Sequence, residues 1–331
     1  MKGLAIFLRQ LFFSCCFLTV PSLSCLAQEG ISNYRQFFGT IRYQDKELLL
    51  LRSFEQNGKL NYLAADPQEM TTLLLPSQGL VVKNKGLAAS LDEFKESPYM
   101  NAINAVRQRA AALQDAGIIH GFPKEKGVTL TIDLCPSHKA LDRIIFTSLI
   151  AEFKKIEQPV PVAVSITGRW MLSHTDDLNW LKNLVKNGEI TVTWVNHSYN
   201  HRVSASAPLK TNFLLEPGTD LNFEILGTEL AMLQHGLLPS LFFRFPGLVS
   251  DQQVVDKLLT YGIIPVGSDA WLAKGQKAAS GSIVLIHGNG NEPLGVKDFI
   301  KLLQTQQKAV TGKTWLMYDL RESVEEEFGQ K

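Results

Sequence analysis

The residues best suited to do chemistry are the two histidines of Asn196-His197-Ser198-Tyr199-Asn200-His201. Their spacing brings both imidazoles onto one face of a helical turn, where they can share one cation. Loop or surface histidines can have the same spacing, so a third donor decides the matter. Asp133 closes the apolar run from Val128, where an unpaired carboxylate is costly to bury and needs a cation or strong donors beside it. His197, His201 and Asp133 therefore read as a metal set that acidifies water and polarises a carbonyl, the two needs of amide or ester hydrolysis. The competing role for Asp133 is to accept hydrogen bonds from Arg244 and loop amides. Zinc is the first expectation for such donors, with cobalt, nickel and manganese as neighbours.

Two further segments could serve the same reaction. Arg244-Phe245-Pro246-Gly247 follows an apolar run. A guanidinium there can orient a carboxylate, and Gly247 can offer an uncrowded backbone N–H to a developing oxyanion, with Phe245 expected on the substrate side. His287 ends another apolar run, just before Gly288-Asn289-Gly290-Asn291, so it can face a pocket and give a proton to a leaving group. The plainer readings are a loop-bracing arginine and a hydrogen-bonded structural histidine.

These residues need a scaffold that gathers strand ends. Beyond Gly127 apolar runs alternate with amphipathic stretches, the signature of parallel α/β architecture. About seven strands are expected: 128–133, 160–166, 190–196, 241–245, 263–266, 282–287 and 314–318. Helices are expected over 142–157, 176–186, 221–235, 251–261 and 296–306, the first three starting near an Asp that could cap them. Asp133, Asn196 with His197, Arg244, Asp269 and His287 are placed at or just past strand C-termini, the edge that holds active sites in parallel barrels and open α/β sheets. Upstream, short β-favouring runs from Tyr34 to about Val82 predict a small β-rich module, followed by a helix over 99–114 and a linker at 123–127.

In the 331-residue chain, 33 Lys plus Arg nearly balance 32 Asp plus Glu, without a long run of one sign, so nothing points to nucleic acid or another polyanion. Lys2 and Arg9 precede an apolar stretch from Leu11 to Val20 and a small-residue region ending at Ala27, which reads as an export signal cleaved after Ala27. Pro21 and the short apolar run argue against a bilayer-spanning anchor, and a lipid-modified Cys25 fits the pattern poorly. The expected division is a signal peptide at 1–27, a β-rich module with its linking helix at 28–125, and a barrel at 126–331. Export removes Cys15, Cys16 and Cys25 with the leader and leaves Cys135 without a disulfide partner, expected as a small buried apolar side chain.

Taken together, the segments from about Val128 to Tyr318 resemble the polysaccharide deacetylase superfamily, carbohydrate esterase family 4, also called the NodB-homology fold. Thr131-Ile132-Asp133-Leu134-Cys135-Pro136-Ser137 approximates its Thr-Phe-Asp-Asp-Gly strand motif, and His197, Ser198 and His201 match its His-Ser-x-x-His motif outright. Arg244-Phe245-Pro246 corresponds to Arg-x-Pro, Asp269-Ala270-Trp271 to the Asp/Trp motif, and Leu285-Ile286-His287 to Leu-x-His. The resemblance implies an α/β fold, a distorted (β/α)7 barrel, that removes acetyl groups from N-acetylated sugars with a divalent metal held by one Asp and two His. It implies Asp133 as general base, His287 as general acid, Arg244 as the tether of the base, Asp269 as the residue tuning the acid, and Trp271 packed beside the site. The departure is Leu134, which stands where the family has its metal-binding Asp. Either Asp133 ligates the metal itself, or Asp142 at the start of the next helix substitutes for it, or no metal binds.

The expected function is an exported, metal-assisted deacetylase acting on N-acetyl or O-acetyl groups of a polysaccharide such as peptidoglycan or another N-acetylhexosamine polymer. The alternative is a catalytically silent, glycan-binding barrel. Loss of the metal Asp favours the silent barrel, and survival of the full acid and base set opposes it.

Overall fold

The computed structural model describes residues 30–123 and 125–324. The expected leader, with Cys15, Cys16 and Cys25, lies outside the described residues. Among the described residues no helix is long and apolar enough to cross a membrane.

The N-terminal β-rich segment forms an antiparallel sheet of β1 (Ile31–Tyr43), β2 (Lys46–Gln56), β3 (Lys59–Asp66), β4 (Thr71–Pro76) and β5 (Lys83–Asn84), in the order β4-β3-β2-β1-β5. Its first two hairpins turn through Gln44-Asp45 and Asn57-Gly58, all at positive φ. That geometry matches the right-handed twist of paired strands and explains the turn-forming residues. Two helices follow, α1 (Leu87–Asp92) and α2 (Pro98–Gln108). Ser97 caps α2 by accepting from the Met100 N–H, with Pro98 at the first helical position. The helix ends earlier than its periodicity predicts, because Arg109 is already extended.

The remaining elements are β6 (Gly127–Leu134), α3 (Ile144–Phe153), β7 (Val160–Ile166), α4 (Gly168–Ser173), α5 (Thr175–Lys186), β8 (Ile190–Asn196), α6 (Thr228–Gln234), β9 (Phe242–Phe243), α7 (Gln252–Leu259), β10 (Ile264–Pro265), β11 (Ala270–Trp271), β12 (Ile283–His287), α8 (Pro293–Thr311) and β13 (Leu316–Met317), so the expected strands are present, with β11 an addition that follows β10 without an α-helix between them. The order β10-β9-β8-β7-β6-β12-β11 is parallel throughout, and β13 pairs with the first two residues of β6. This is a distorted (β/α) barrel, open between β10 and β11. Residues 114–121 run through that opening: Ile118 donates to Pro265 O, Gly267 donates to Ile118 O, and Gly121 donates to Gly281 O. Gly117 is required there, since its φ is +101° and a Cβ would lie 2.1 Å from Pro265 O.

The alternation along β6 separates two environments. Leu130, Ile132 and Leu134 pack under α3 and α8 with Ile145, Phe146, Leu149, Phe299 and Leu303. Thr131 and Asp133 turn to the other face, where Thr131 Oγ1 accepts from Arg244 Nη2 at 2.9 Å. A second core joins Leu49 and Leu51 of β2 and Tyr99, Ile103 and Val106 of α2 to Phe242, Phe243 and Ile264 of the barrel.

One buried ion pair pins this junction. Arg52 Nε and Nη2 donate to the two carboxylate oxygens of Glu229 at 2.7 and 2.8 Å, and its Nη1 donates to Leu51 O and Tyr261 O. The Tyr34 hydroxyl donates to the same carboxylate at 2.8 Å. Arg52→Ala strands the Glu229 charge in the interior and should cost about 3–5 kcal/mol in urea unfolding. The double change Arg52→Met with Glu229→Met should restore most of that loss, because no lone charge is then buried.

Candidate active site

Parallel register assembles the site. His287 is level with Asp133, Asp133 with Ser165, Ile166 with Asn196, and Asn196 with Phe243. The ends of five neighbouring strands thus share one rim, with His197 and Arg244 each one residue further along. Cys135, two residues beyond Asp133, follows the same alternation onto the inner face. Leu134, fully buried among Ile145 and Leu149, cannot.

The donors that meet are Cys135 Sγ and one ring nitrogen each of His197 and His201, all within 4.8 Å of one another. Cys135 Sγ lies 3.5 Å from His197 Nε2. His197 Nδ1 is 2.8 Å from the Arg244 carbonyl, so Nδ1 carries the proton and Nε2 keeps its lone pair for a ligand. His201 Nε2 is buried without a hydrogen-bond partner. The 3.5 Å separation of Cys135 Sγ and His197 Nε2 suits two donors sharing one cation at bonds of about 2.0–2.3 Å. A thiolate and two imidazoles are donor types that would hold a divalent cation such as zinc. The residues present therefore fit a divalent cation.

Asp133 stands beside this set. Its Oδ2 is 3.7 Å from His197 Nε2, and its buried Oδ1 has no partner. Burial alone would raise the Asp133 pKa, but Arg244, His197 and His287 hold it below the usual carboxylate value. Burial would likewise raise the Cys135 thiol, yet His201, His287 and His197 pull it well below its usual range, which favours thiolate. His287 moves the other way: burial would lower it, while Cys135, Glu292 and Asp133 push it well above the usual imidazole value. Asp133 Oδ1, Ser165 Oγ, Ser198 Oγ, His201 Nε2 and Arg244 Nε and Nη1 are all buried at this rim without partners. Such a concentration of unsatisfied polar atoms marks a place built for a ligand, ion or water.

Several expectations need correction. The two histidines meet on a loop rather than a helical turn, with Ser198 at φ +67° and His201 at φ +48°. Cys135 is buried, as expected of a small side chain, but its Sγ also faces the His197 and His201 ring nitrogens, which the apolar reading did not anticipate. Asp142 lies outside the donor group: its Oδ2 accepts from the Gly290 N–H at 2.8 Å and steadies the loop after β12. It does not cap α3 through its side chain either, since no side-chain cap bond forms there. Asp269 precedes β11, whose Ala270 is level with Val284, so it sits near the opposite end of β12 from His287. That offset is about 13 Å at roughly 3.3 Å per residue. Asp269 instead contacts His120 Nδ1 at 2.6 Å and accepts from the Ile283 N–H.

The partner of His287 is Glu292, which the sequence reading missed. Glu292 Oε2 lies 2.8 Å from His287 Nδ1 and also accepts from Trp271 Nε1 at 2.8 Å. Its signal was an acid closing the Gly-Asn-Gly-Asn loop. Trp271 packs against His287 with ring centres 5.7 Å apart. Phe245 is not on a substrate surface, being 1 % exposed in the core against Phe243. Gly247, at φ +61°, lies under the Phe213 ring, whose nearest carbon would be 2.5 Å from an added Cβ. Phe213 also meets His201 edge-on at 5.7 Å.

No protein-family model matches the chain. Among solved structures, the chain is similar to a family 4 carbohydrate esterase from Bacillus anthracis at 17 % identity, covering 67 % of this chain and 90 % of that one, TM-score 0.45. It is similar to a carbohydrate esterase family 4 pseudoenzyme from the same organism at 17 % identity, covering 63 % and 68 %, TM-score 0.43. A family 4 carbohydrate esterase from Streptomyces lividans, in complex with acetate, matches at 17 % identity over 58 % and 91 %, TM-score 0.40. At these values the likeness carries no argument about activity, which has to rest on the site itself.

The donor set is tested by zinc affinity, read from competition with a chromogenic chelator. Cys135→Ala and His201→Ala should each weaken binding by more than about a hundredfold, beyond the loss typical of residues that merely support ligands. Asp142→Asn should leave it unchanged; a loss there would return Asp142 to the ligand set.

Proposed function

We propose that the chain is an exported hydrolase that removes N-acetyl or O-acetyl groups from a cell-wall or extracellular polysaccharide such as peptidoglycan. The observation that carries this reading is the meeting of Cys135, His197 and His201 beside Asp133 and a separately oriented His287. A divalent cation, zinc first, would be held by Cys135, His197 and His201, where it supplies a Lewis acid for the acyl carbonyl and acidifies water.

The chain's own groups divide the proton work. Asp133, kept ionised by Arg244 and the imidazoles around it, can take a proton at its unpartnered Oδ1. Arg244, anchored to Thr131 through Nη2, acts on that carboxylate through its charge, without a hydrogen bond to it. His287, bound at Nδ1 by Glu292 and packed at a tilt against Trp271, presents Nε2 as the acid for the departing nitrogen or oxygen. The two groups have opposite pKa tendencies, the arrangement that separates a base from an acid at one pH. Survival of both opposes the silent-barrel alternative.

A second reading has its own observation: a Cys135 thiol beside a histidine oriented by a carboxylate is also the kit of a thiol nucleophile. Acetate release from N-acetylated chitooligosaccharides and peptidoglycan separates the readings. Under the deacetylase reading a chelator stops release and zinc restores it, while iodoacetamide acts only after chelation. Release that survives chelation but not iodoacetamide would select the nucleophile. Asp133→Ala and His201→Ala should abolish turnover, and His287→Ala should lower kcat by about 10²–10⁴-fold. No acetate from wild type on any of these polymers would sink the proposal.

A further inference from the structure

We infer that Glu224 is a positioning residue that fixes the His197–His201 loop and so sets the cation affinity of the site, an inference that rests on the cation reading above. Glu224 is buried in a single π-helical turn, Phe223–Gly227, just before α6. Its Oε2 accepts from the backbone N–H groups of both Tyr199 and Asn200, at 2.9 and 2.8 Å, and its Oε1 accepts from Asn200 Nδ2 at 2.7 Å. Those two residues are part of the span between the histidines.

Consecutive N–H groups that converge on one oxygen form an anion-binding nest. Here the chain fills that nest with its own carboxylate. The need is plain from the backbone: Ser198 and His201 adopt left-handed conformations that persist only where the surroundings over-determine them. The π turn also grips the loop at its root, because Asn196 Nδ2 donates to Ile225 O while Asn196 Oδ1 accepts from the Ser198 N–H. An extra residue in a helical turn is a device found often at functional sites, and here it aims one carboxylate at two amides.

The turn is itself anchored. Glu229, in the following α6, is held by Arg52 and Tyr34 of the N-terminal sheet. The sheet thus backs the element that holds the histidine loop, which gives the N-terminal segment a part in shaping the site without touching it.

The test uses the full chain, stripped of metal and then titrated with zinc. Glu224→Ala removes both acceptor oxygens, so the Tyr199 and Asn200 N–H groups and Asn200 Nδ2 all lose their shared partner. Amide exchange at Tyr199 and Asn200 should quicken at least about tenfold in the metal-free protein, and zinc affinity should fall about 10–100-fold, the range for residues that support ligands. Exchange in β6 and β7 should stay as in wild type, which a merely structural role would not allow. Unchanged loop exchange, or unchanged zinc affinity in a wild type that binds zinc, overturns the inference. A wild type that binds no zinc overturns the cation reading instead, and loop exchange alone then judges Glu224. If Glu224→Ala does not fold, Glu224→Asp, with both oxygens kept at shorter reach, is measured in the same way and must show the same local loosening.

Discussion

In a parallel sheet, strands in register end at one level and send alternate residues to one face, and this protein's site depends on that constraint. β6 lies between β7 and β12, with Asp133 beside Ser165 and His287. The same alternation that buries Leu130, Ile132 and Leu134 under α3 and α8 delivers Thr131, Asp133 and Cys135 to the inner face. A slip of one residue would exchange the two sets, placing leucines at the rim and a carboxylate and a thiol under the helices. The apolar face therefore enforces the register that the chemistry needs.

The rim concentrates costs that the rest of the fold must carry. Asp133, Arg244, His197 and Cys135 are all nearly inaccessible, and several of their polar atoms have no partner. Left-handed backbone recurs at Ser198, His201, Phe213 and Leu248, around the same mouth. Each such position is unfavourable alone and is tolerated where neighbours leave no alternative. Those neighbours include the π turn before α6, the Arg244 carbonyl that receives His197, and the Glu292 carboxylate shared by His287 and Trp271.

The N-terminal sheet belongs to this account through its buried contacts. Its Arg52 and Tyr34 hold Glu229, and its apolar face shares a core with α2 and with β9 and β10. Residues 114–121 then cross the open seam of the barrel, so the chain upstream of β6 covers one flank of the barrel and lines its gap.

Most of the architecture was legible in the amino-acid sequence, because burial writes a period into it: apolar runs for the strands, helical spacing for the layers outside them, and turn residues for the hairpins. The histidine pair, Asp133, Arg244 and His287 were legible too, as costly polar groups at the ends of apolar runs. Even Cys135 left a trace in the alternation Thr131, Asp133, Cys135, which a motif read residue by residue passed over in favour of Leu134. What sequence could not determine was partnership across distance. Glu292 rather than Asp269 orients His287, Asp142 serves a loop, and Glu224 holds the histidine loop from another element. Local pattern records whether a side chain is buried and which way it faces; which group it meets depends on register and helix placement summed over the whole barrel, and only the tertiary structure decides that.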